Sequence, residues 1–257
     1  FTRQQKWEQA LGLLAEMQEH DLNPDLISYS AAINACLKGK QWRQALELVI
    51  QMQQRVLEPD VISYNAAINA LGKGAAWERA LDTLVSMQVQ ALEPDAFSYS
   101  AMISACEPGA QWQRALVILA QARDASAEPN VVCCNAAMSA LERSEQWEQA
   151  LRVFTEMQQG DLEPDVISFN AIISAFGHGL QWQRALEMLE GMHGRELHPD
   201  VVSYNAAIAA CEKSEKWMQA LCTFADMRNQ HHQPDMISYN TLISALHRCA
   251  LWERALG

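Results

Sequence analysis

Between residues 59 and 95 the apolar positions Val61, Tyr64, Ile68 and Leu71 recur at steps of three and four, the spacing of one helical face. A second series, Trp77, Ala80, Leu81, Leu84 and Met87, keeps the same spacing. The pattern predicts two helices, over about residues 61–71 and 76–88. Asp60, after Pro59, is a natural N-cap for the first, and Gly72-Lys73-Gly74 is expected to break it. Around the first helix a second stripe stands beside the apolar one. It comprises Ile62, Asn65, Asn69 and Lys73, and spans an arc of about 80° at the helical period. Ala66 and Ala70 are small enough to let a neighbouring element approach closely.

The same pattern returns every 35 residues. Proline stands at 24, 59, 94, 129, 164, 199 and 234, with Pro108 alone off the beat, and all eight tryptophans (7, 42, 77, 112, 147, 182, 217 and 252) keep the period. A fixed period of this length signals stacked supersecondary units, each burying its apolar face against the next. The expected fold is all-α, a right-handed superhelical α-solenoid of helix–turn–helix repeats. The expected organisation is a single array over residues 1–257. It has a partial repeat at 1–25, full repeats at 26–60, 61–95, 96–130, 131–165, 166–200 and 201–235, and a partial repeat at 236–257. Its ends would expose apolar surface without polar caps, so further repeats are expected to flank it.

Of the 257 residues 49% are apolar, and no run approaches the length of a membrane-spanning helix. Seven cysteines make no CxxC pair. Cys36, Cys106 and Cys211 share a slot filled elsewhere by Leu71, Leu141, Phe176 and Leu246, which marks them as core residues. Adjacent Cys133 and Cys134 stand where other repeats have Ser and an aromatic. An odd, unpatterned set argues for a reducing compartment. The net charge of −12 argues, taken whole, against a polyanionic partner, unless charge is segregated by face.

Three columns of residues bear on that point. The Asn65 column reads Ser30, Asn65, Ser100, Asn135, Asn170, Asn205 and Asn240, always Asn or Ser. Alanine would favour a helix by roughly 0.5 kcal/mol per site, so a repeated cost requires explanation; local bonding near the helix start is the structural alternative. The column before each first helix reads Asp25, Asp60, Asp95, Asn130, Asp165, Asp200 and Asp235, for which N-capping alone suffices without excluding a second role. The Lys73 column reads Arg3, Lys38, Lys73, Pro108, Arg143, His178, Lys213 and Arg248. Cations there could serve only the helix dipole; a ladder of them beside the Asn/Ser column also suits a polyanion. The acidic excess would then lie elsewhere, for example at Glu58, Glu93, Glu128 and Glu163 beside the prolines.

The phrase Val-Ile-Ser-Tyr-Asn-Ala-Ala-Ile (61–68), the later Ala80-Leu81, Met87 and the closing Pro94-Asp95 resemble the pentatricopeptide repeat family, in its pure 35-residue class, over the whole chain. The resemblance implies sequence-specific binding of single-stranded RNA, one base per repeat, in organellar RNA processing, stability or translation. It implies a mitochondrial or chloroplast location. It makes Ile27, Ile62, Phe97, Val132, Ile167, Val202 and Ile237 the apolar side chains that sandwich bases. It makes the Asn65 column, paired with the acid or amide closing the same repeat, the reader of the base edge. Ser30 with Asp60 then implies G, Asn65 with Asp95 U, and Ser100 with Asn130 A. Asn135 with Asp165, Asn170 with Asp200, and Asn205 with Asp235 each imply U, and Asn240 implies a pyrimidine, giving 5′-GUAUUU(Y)-3′. Lys38, Lys73, Arg143, Lys213 and Arg248 are implied phosphate contacts, with Pro108 departing from the pattern and His178 only conditionally charged.

No zinc deaminase signature or Gly-rich phosphate loop is visible, so no catalytic residue, metal, cofactor or small-molecule substrate is expected. His193, His198, His231 and His232 are expected in loops between repeats without a ligand set. Protein partners could engage flanking domains. The alternative is a protein-binding scaffold of the tetratricopeptide-like type, which the acidic charge favours and the repeated polar pair opposes.

Overall fold

The computed structural model describes residues 5–20, 22–39, 41–54, 60–74, 76–109, 111–125, 130–160 and 162–248. Every element among them is an α-helix. The first helices of the repeats are α2 (Leu26–Lys38), α4 (Val61–Lys73), α6 (Ala96–Cys106), α8 (Val131–Arg143), α10 (Val166–His178), α12 (Val201–Lys213) and α14 (Met236–Arg248). The second helices are α1 (Gln5–Glu19), α3 (Trp42–Gln54), α5 (Trp77–Val89), α7 (Trp112–Asp124), α9 (Trp147–Gln159), α11 (Trp182–His193) and α13 (Trp217–Asn229). Arg3, Glu58, Glu128, Cys249 and the second helix expected at the end of the chain lie outside the described residues.

The chain forms two compact units, residues 1–136 and 137–257. In the first, α2 packs on α3 and α4, α4 on α5 and α6, and α6 on α7. In the second, α10 packs on α11 and α12, and α12 on α13 and α14. α2, α4, α10 and α12 are thus each held both by their own second helix and by the first helix of the next repeat.

The expected core stripe is the buried one: Tyr64, Ile68 and Leu71 are fully buried, and Tyr29, Ile33 and Cys36 repeat the arrangement on α2. Cys106 and Cys211 occupy the same slot, where burial pushes each thiol up to about 11. Cys133 and Cys134 are also buried.

Helix starts follow the sequence. The Asp60 carboxylate accepts from Ser63 N–H at 2.9 Å, and Asp25, Asp95, Asp200 and Asp235 do the same for Ser28, Ser98, Ser203 and Ser238. Helix ends correct two expectations. Gly72-Lys73-Gly74 does not break α4, which runs through Lys73 and is capped by Gly74. Gly72 is a packing residue: a Cβ there would lie 2.9 Å from Ala105 Cβ on α6. Likewise His193 is not in a loop but is the last residue of α11.

The turn between paired helices closes tightly. Ala76 N–H donates to Leu71 O, Gln181 N–H to Phe176 O and Lys216 N–H to Cys211 O. This brings Gly74 so near the previous repeat that a Cβ would stand 2.6 Å from the Trp42 ring. Trp147 stands equally close to Gly179. The tryptophan period therefore seats each second helix on the turn of the repeat that follows.

Candidate nucleic-acid interface

The column that starts with Ile27 is solvent-exposed throughout. Ile27 (76%), Ile62 (62%), Phe97 (73%), Val132 (59%), Ile167 (63%), Val202 (58%) and Ile237 (62%) all stand in water. One exposed apolar side chain needs no explanation. Seven at one slot do, because burying each would gain about 1.5–3 kcal/mol and the neighbouring positions 64 and 68 are fully buried. Their helices present them because the caps and the buried Tyr column leave that slot facing outward.

Beside each exposed side chain lies the Asn65 column, held by a hydrogen-bond network that crosses from one repeat to the next. Asn65 Nδ2 donates to Asp95 Oδ1 at 3.1 Å, Asn170 Nδ2 to Asp200 Oδ1 at 3.2 Å, and Asn205 Nδ2 to Asp235 Oδ1 at 3.1 Å. The paired residues, 30 positions apart, thus meet in space. The Asp that caps one helix also holds the Asn of the helix before it. Capping and pairing are one carboxylate's work.

Hydrogen bonding also sets the charge of these acids. At Asp95 and Asp200 burial raises the carboxyl pKa, but donation from Ser98 or Ser203 and from the Asn outweighs it and holds the group below its usual 3.8. At Asp235 the Ser238 N–H is the leading cause of the same depression. These groups are ionised acceptors at neutral pH.

The network contains a residue type to which the sequence reading gave no role. Ser63, Ser98, Ser203 and Ser238, three residues after the cap, are fully buried. Ser98 Oγ donates to Asn65 Oδ1 at 2.6 Å, Ser203 Oγ to Asn170 Oδ1 and Ser238 Oγ to Asn205 Oδ1 at the same distance. The readable signal was their own 35-residue period.

Two repeats differ. Ser30 Oγ lies 3.0 Å from Ser63 Oγ, a hydroxyl pair in place of the amide bridge. Ser100 turns back to donate to Phe97 O at 3.0 Å, while Asn130 Oδ1 accepts from Cys133 N–H. Cys133, where a serine would stand, donates its thiol to Ala96 O at 3.3 Å. Asn135 is half-buried on α8, Asp165 caps α10, and Asn240 is exposed on α14.

The cation column divides as well. Lys38, Lys73 and Arg143 are exposed at the ends of their helices. Lys213 Nζ lies 3.2 Å from His178 Nε2, and Arg248 Nε lies 3.2 Å from Glu212 Oε1. At the departing position, α6 stops at Cys106, two residues before Pro108, whose ring nitrogen has no hydrogen with which to continue the helical ladder. Among the described residues no group of three His, Cys, Asp or Glu side chains converges as a metal site would require. No helix among them is long and apolar enough to cross a membrane.

Helix–turn–helix repeats, a two-sided first helix and inter-repeat polar pairs define an α-helical repeat array with an outward-facing apolar column. The model of the PPR repeat family matches residues 24–73, 59–107, 129–178, 164–211 and 199–248, and the chain belongs to that family. No curated protein sequence matches it. Among solved structures it is similar to the pentatricopeptide repeat protein PPR10 from maize, with 25% identity over 96% of this chain and a TM-score of 0.77. It also resembles PPR10 in complex with an 18-nt psaJ RNA element, at 20% identity over 98% of this chain and a TM-score of 0.85. The PPR domain of Arabidopsis thaliana protein-only RNase P 1, in complex with tRNA, aligns over 73% of this chain and 95% of its own, with 14% identity and a TM-score of 0.57. This chain spans 36% of the length of PPR10.

Proposed function

We propose that this chain binds single-stranded RNA with one base per repeat and carries no catalytic activity of its own. The observation that supports this best is the exposed apolar column, repeated at every first helix beside an Asn or Ser. A base has two apolar faces and a polar edge. An apolar side chain from each of two successive repeats suits the faces, and the amide or hydroxyl suits the edge. A peptide groove gives no reason to repeat one polar pair at each unit. The solved complex of PPR10 with RNA adds weight to the same reading.

The pairs favour 5′-GUAUUU(Y)-3′, with Ser30/Asp60, Asn65/Asp95, Ser100/Asn130, Asn135/Asp165, Asn170/Asp200, Asn205/Asp235 and Asn240 read in chain order. Lys38, Lys73, Arg143, Lys213 and Arg248 serve phosphates. The setting is organellar RNA processing, stability or translation, in mitochondrion or chloroplast. A direct test measures binding of the RNA heptamer GUAUUUU alone and annealed to its complement. The single strand is expected to bind at least about tenfold tighter, because a paired base cannot enter between two side chains. Equal affinity for the two forms overturns the proposal.

A further inference from the structure

We propose that the buried serine three residues into the next first helix is a specificity-determining positioning residue, which fixes the orientation of the preceding repeat's Asn amide. This rests on the reading of that Asn as the base reader. The residues are Ser98 for Asn65, Ser203 for Asn170 and Ser238 for Asn205.

An amide is symmetric in shape and opposite in polarity at its two ends. Turned one way, Asn offers an acceptor where, turned the other, it offers a donor. That difference separates uracil from cytosine. Uracil presents an N–H at N3 beside carbonyl oxygens; cytosine presents an acceptor at N3 beside an amino group. A freely turning Asn would satisfy either base. Here both ends are claimed: Oδ1 of Asn65 accepts from Ser98, and Nδ2 donates to Asp95. Turning the amide over would set its oxygen against the ionised Asp95 carboxylate and forfeit the serine proton. One Nδ2 hydrogen and one Oδ1 lone pair stay available, in a fixed order.

The serine is itself constrained. Ser98 Oγ is fully buried and accepts from Asp95 N–H at 3.2 Å; its one proton has two acceptors, Asn65 Oδ1 at 2.6 Å and Asp95 Oδ1 at 2.9 Å, and the nearer is the amide. Ser203 and Ser238 make the matching contacts with Asp200 and Asp235. The chain also contains its own control. At Cys133 the hydroxyl is replaced by a weak thiol donor, bonded to Ala96 O, and the reader Ser100 turns back onto Phe97 O. Repeat 96–130 is therefore the one whose reader lacks this support among the repeats where the network is described.

The test is a competition among four synthetic RNAs, GUAUUUU, GCAUUUU, GAAUUUU and GGAUUUU, which differ only at the base assigned to Asn65. Wild type, Ser98→Cys and Ser98→Thr are compared. Cysteine is the apt variant because α8 already forms with Cys133 at this slot, where the backbone cap to Asn130 is kept at 3.0 Å. In Ser98→Cys the preference for U over C at that base is expected to fall by about threefold or more, the worth of one neutral hydrogen bond. Affinity for the purine-substituted RNAs is expected to change little, and Ser98→Thr, which keeps a hydroxyl, should restore the preference. A purely structural role would weaken all four RNAs alike or lower the melting temperature without changing their order; either result overturns the proposal. Wild type that ranks U and C equally overturns the base-reading assignment and this inference with it. Wild type that prefers U, with Ser98→Cys equally selective, overturns only the inference.

Discussion

At the residue scale, Ser100 and Asn130 stand apart from the Asn–Asp pairs around them. Asn130 caps α8 through Cys133 N–H as the aspartates cap their helices, so capping does not require the amide. The double substitution Ser100→Asn and Asn130→Asp is therefore expected to leave melting nearly unchanged while moving the preferred third base from A to U. Discrimination at one base is worth about 1–3 kcal/mol in nucleic-acid recognition, so the ranking of GUAUUUU and GUUUUUU should reverse in competition. Unchanged ranking with unchanged melting would make the pair structural. Glu212 shows the opposite kind of residue, one that weakens a neighbour: its carboxylate, mostly buried, takes up Arg248 at 3.2 Å and accepts from Ser244. Arg248 is accordingly less available to a phosphate than Lys73, which is exposed at the end of α4.

At the scale of elements, the turn after each first helix places two adjacent residues under opposite demands. Gly179 has a right-handed φ of −80° and needs no backbone freedom; its missing Cβ makes room for Trp147. Leu180 next to it has φ 56° and a largely exposed side chain, a conformation that glycine adopts at far lower cost. Glu145 and Glu215 repeat that left-handed position in the neighbouring turns. Gly179→Ala is expected to destabilise by about 1–3 kcal/mol through overpacking. Leu180→Gly is expected to stabilise by about 1 kcal/mol, since relief of the left-handed strain exceeds the added freedom of the unfolded chain. Thermal melting of the two variants checks both signs; a lower melting temperature for Leu180→Gly would mean that leucine carries packing the turn depends on.

At the scale of the whole molecule, the net charge of −12 is unevenly distributed, with the cations of the first helices gathered at their C-terminal ends. The first helices carry Lys38, Lys73, Arg143, Lys213 and Arg248 at their C-terminal ends, beside Glu142 and Glu212, while the capping Asp25, Asp60, Asp95, Asp165, Asp200 and Asp235 stand at their starts. Exposed acids such as Glu78, Asp82, Glu148, Glu187 and Asp226 lie on the second helices. Screening at physiological salt reaches about 8 Å, so a strand passing the C-terminal ends of the first helices would feel these cations more than the acids on the second helices. Replacing Lys38, Lys73 and Arg143 by Ala is expected to flatten the slope of log K against log salt by up to about 0.7 for each lost contact. Arg248→Ala should change it less than Lys73→Ala. Salt titration of binding measures both, and an unchanged slope in the triple variant would restrict these cations to ending their helices.

The helix pairs of the described repeats, the buried Tyr and Leu stripes, the capping aspartates and the second stripe that carries Ile62 were all legible in the sequence, because each is a local consequence of a 3.6-residue turn repeated at a fixed period. The column of candidate readers was legible for the same reason: Asn or Ser at one slot throughout has no adequate local cause. What spacing could not disclose is what successive repeats do to one another. Gly72 reads as a helix breaker until Ala105 is seen beside it, since a glycine's backbone freedom and its lack of volume look identical in a string of letters. Ser98 has no evident role in the string of letters; the structure makes it half of a capping box with Asp95 and puts its hydroxyl on Asn65, 33 residues earlier. Cations that share a slot differ once Glu212 reaches Arg248 and His178 reaches Lys213. The periodicity determined which residues share a face; only packing between repeats decided which of their polar atoms are already spoken for, because hydrogen bonds are settled by distances of tenths of an ångström that no residue spacing contains.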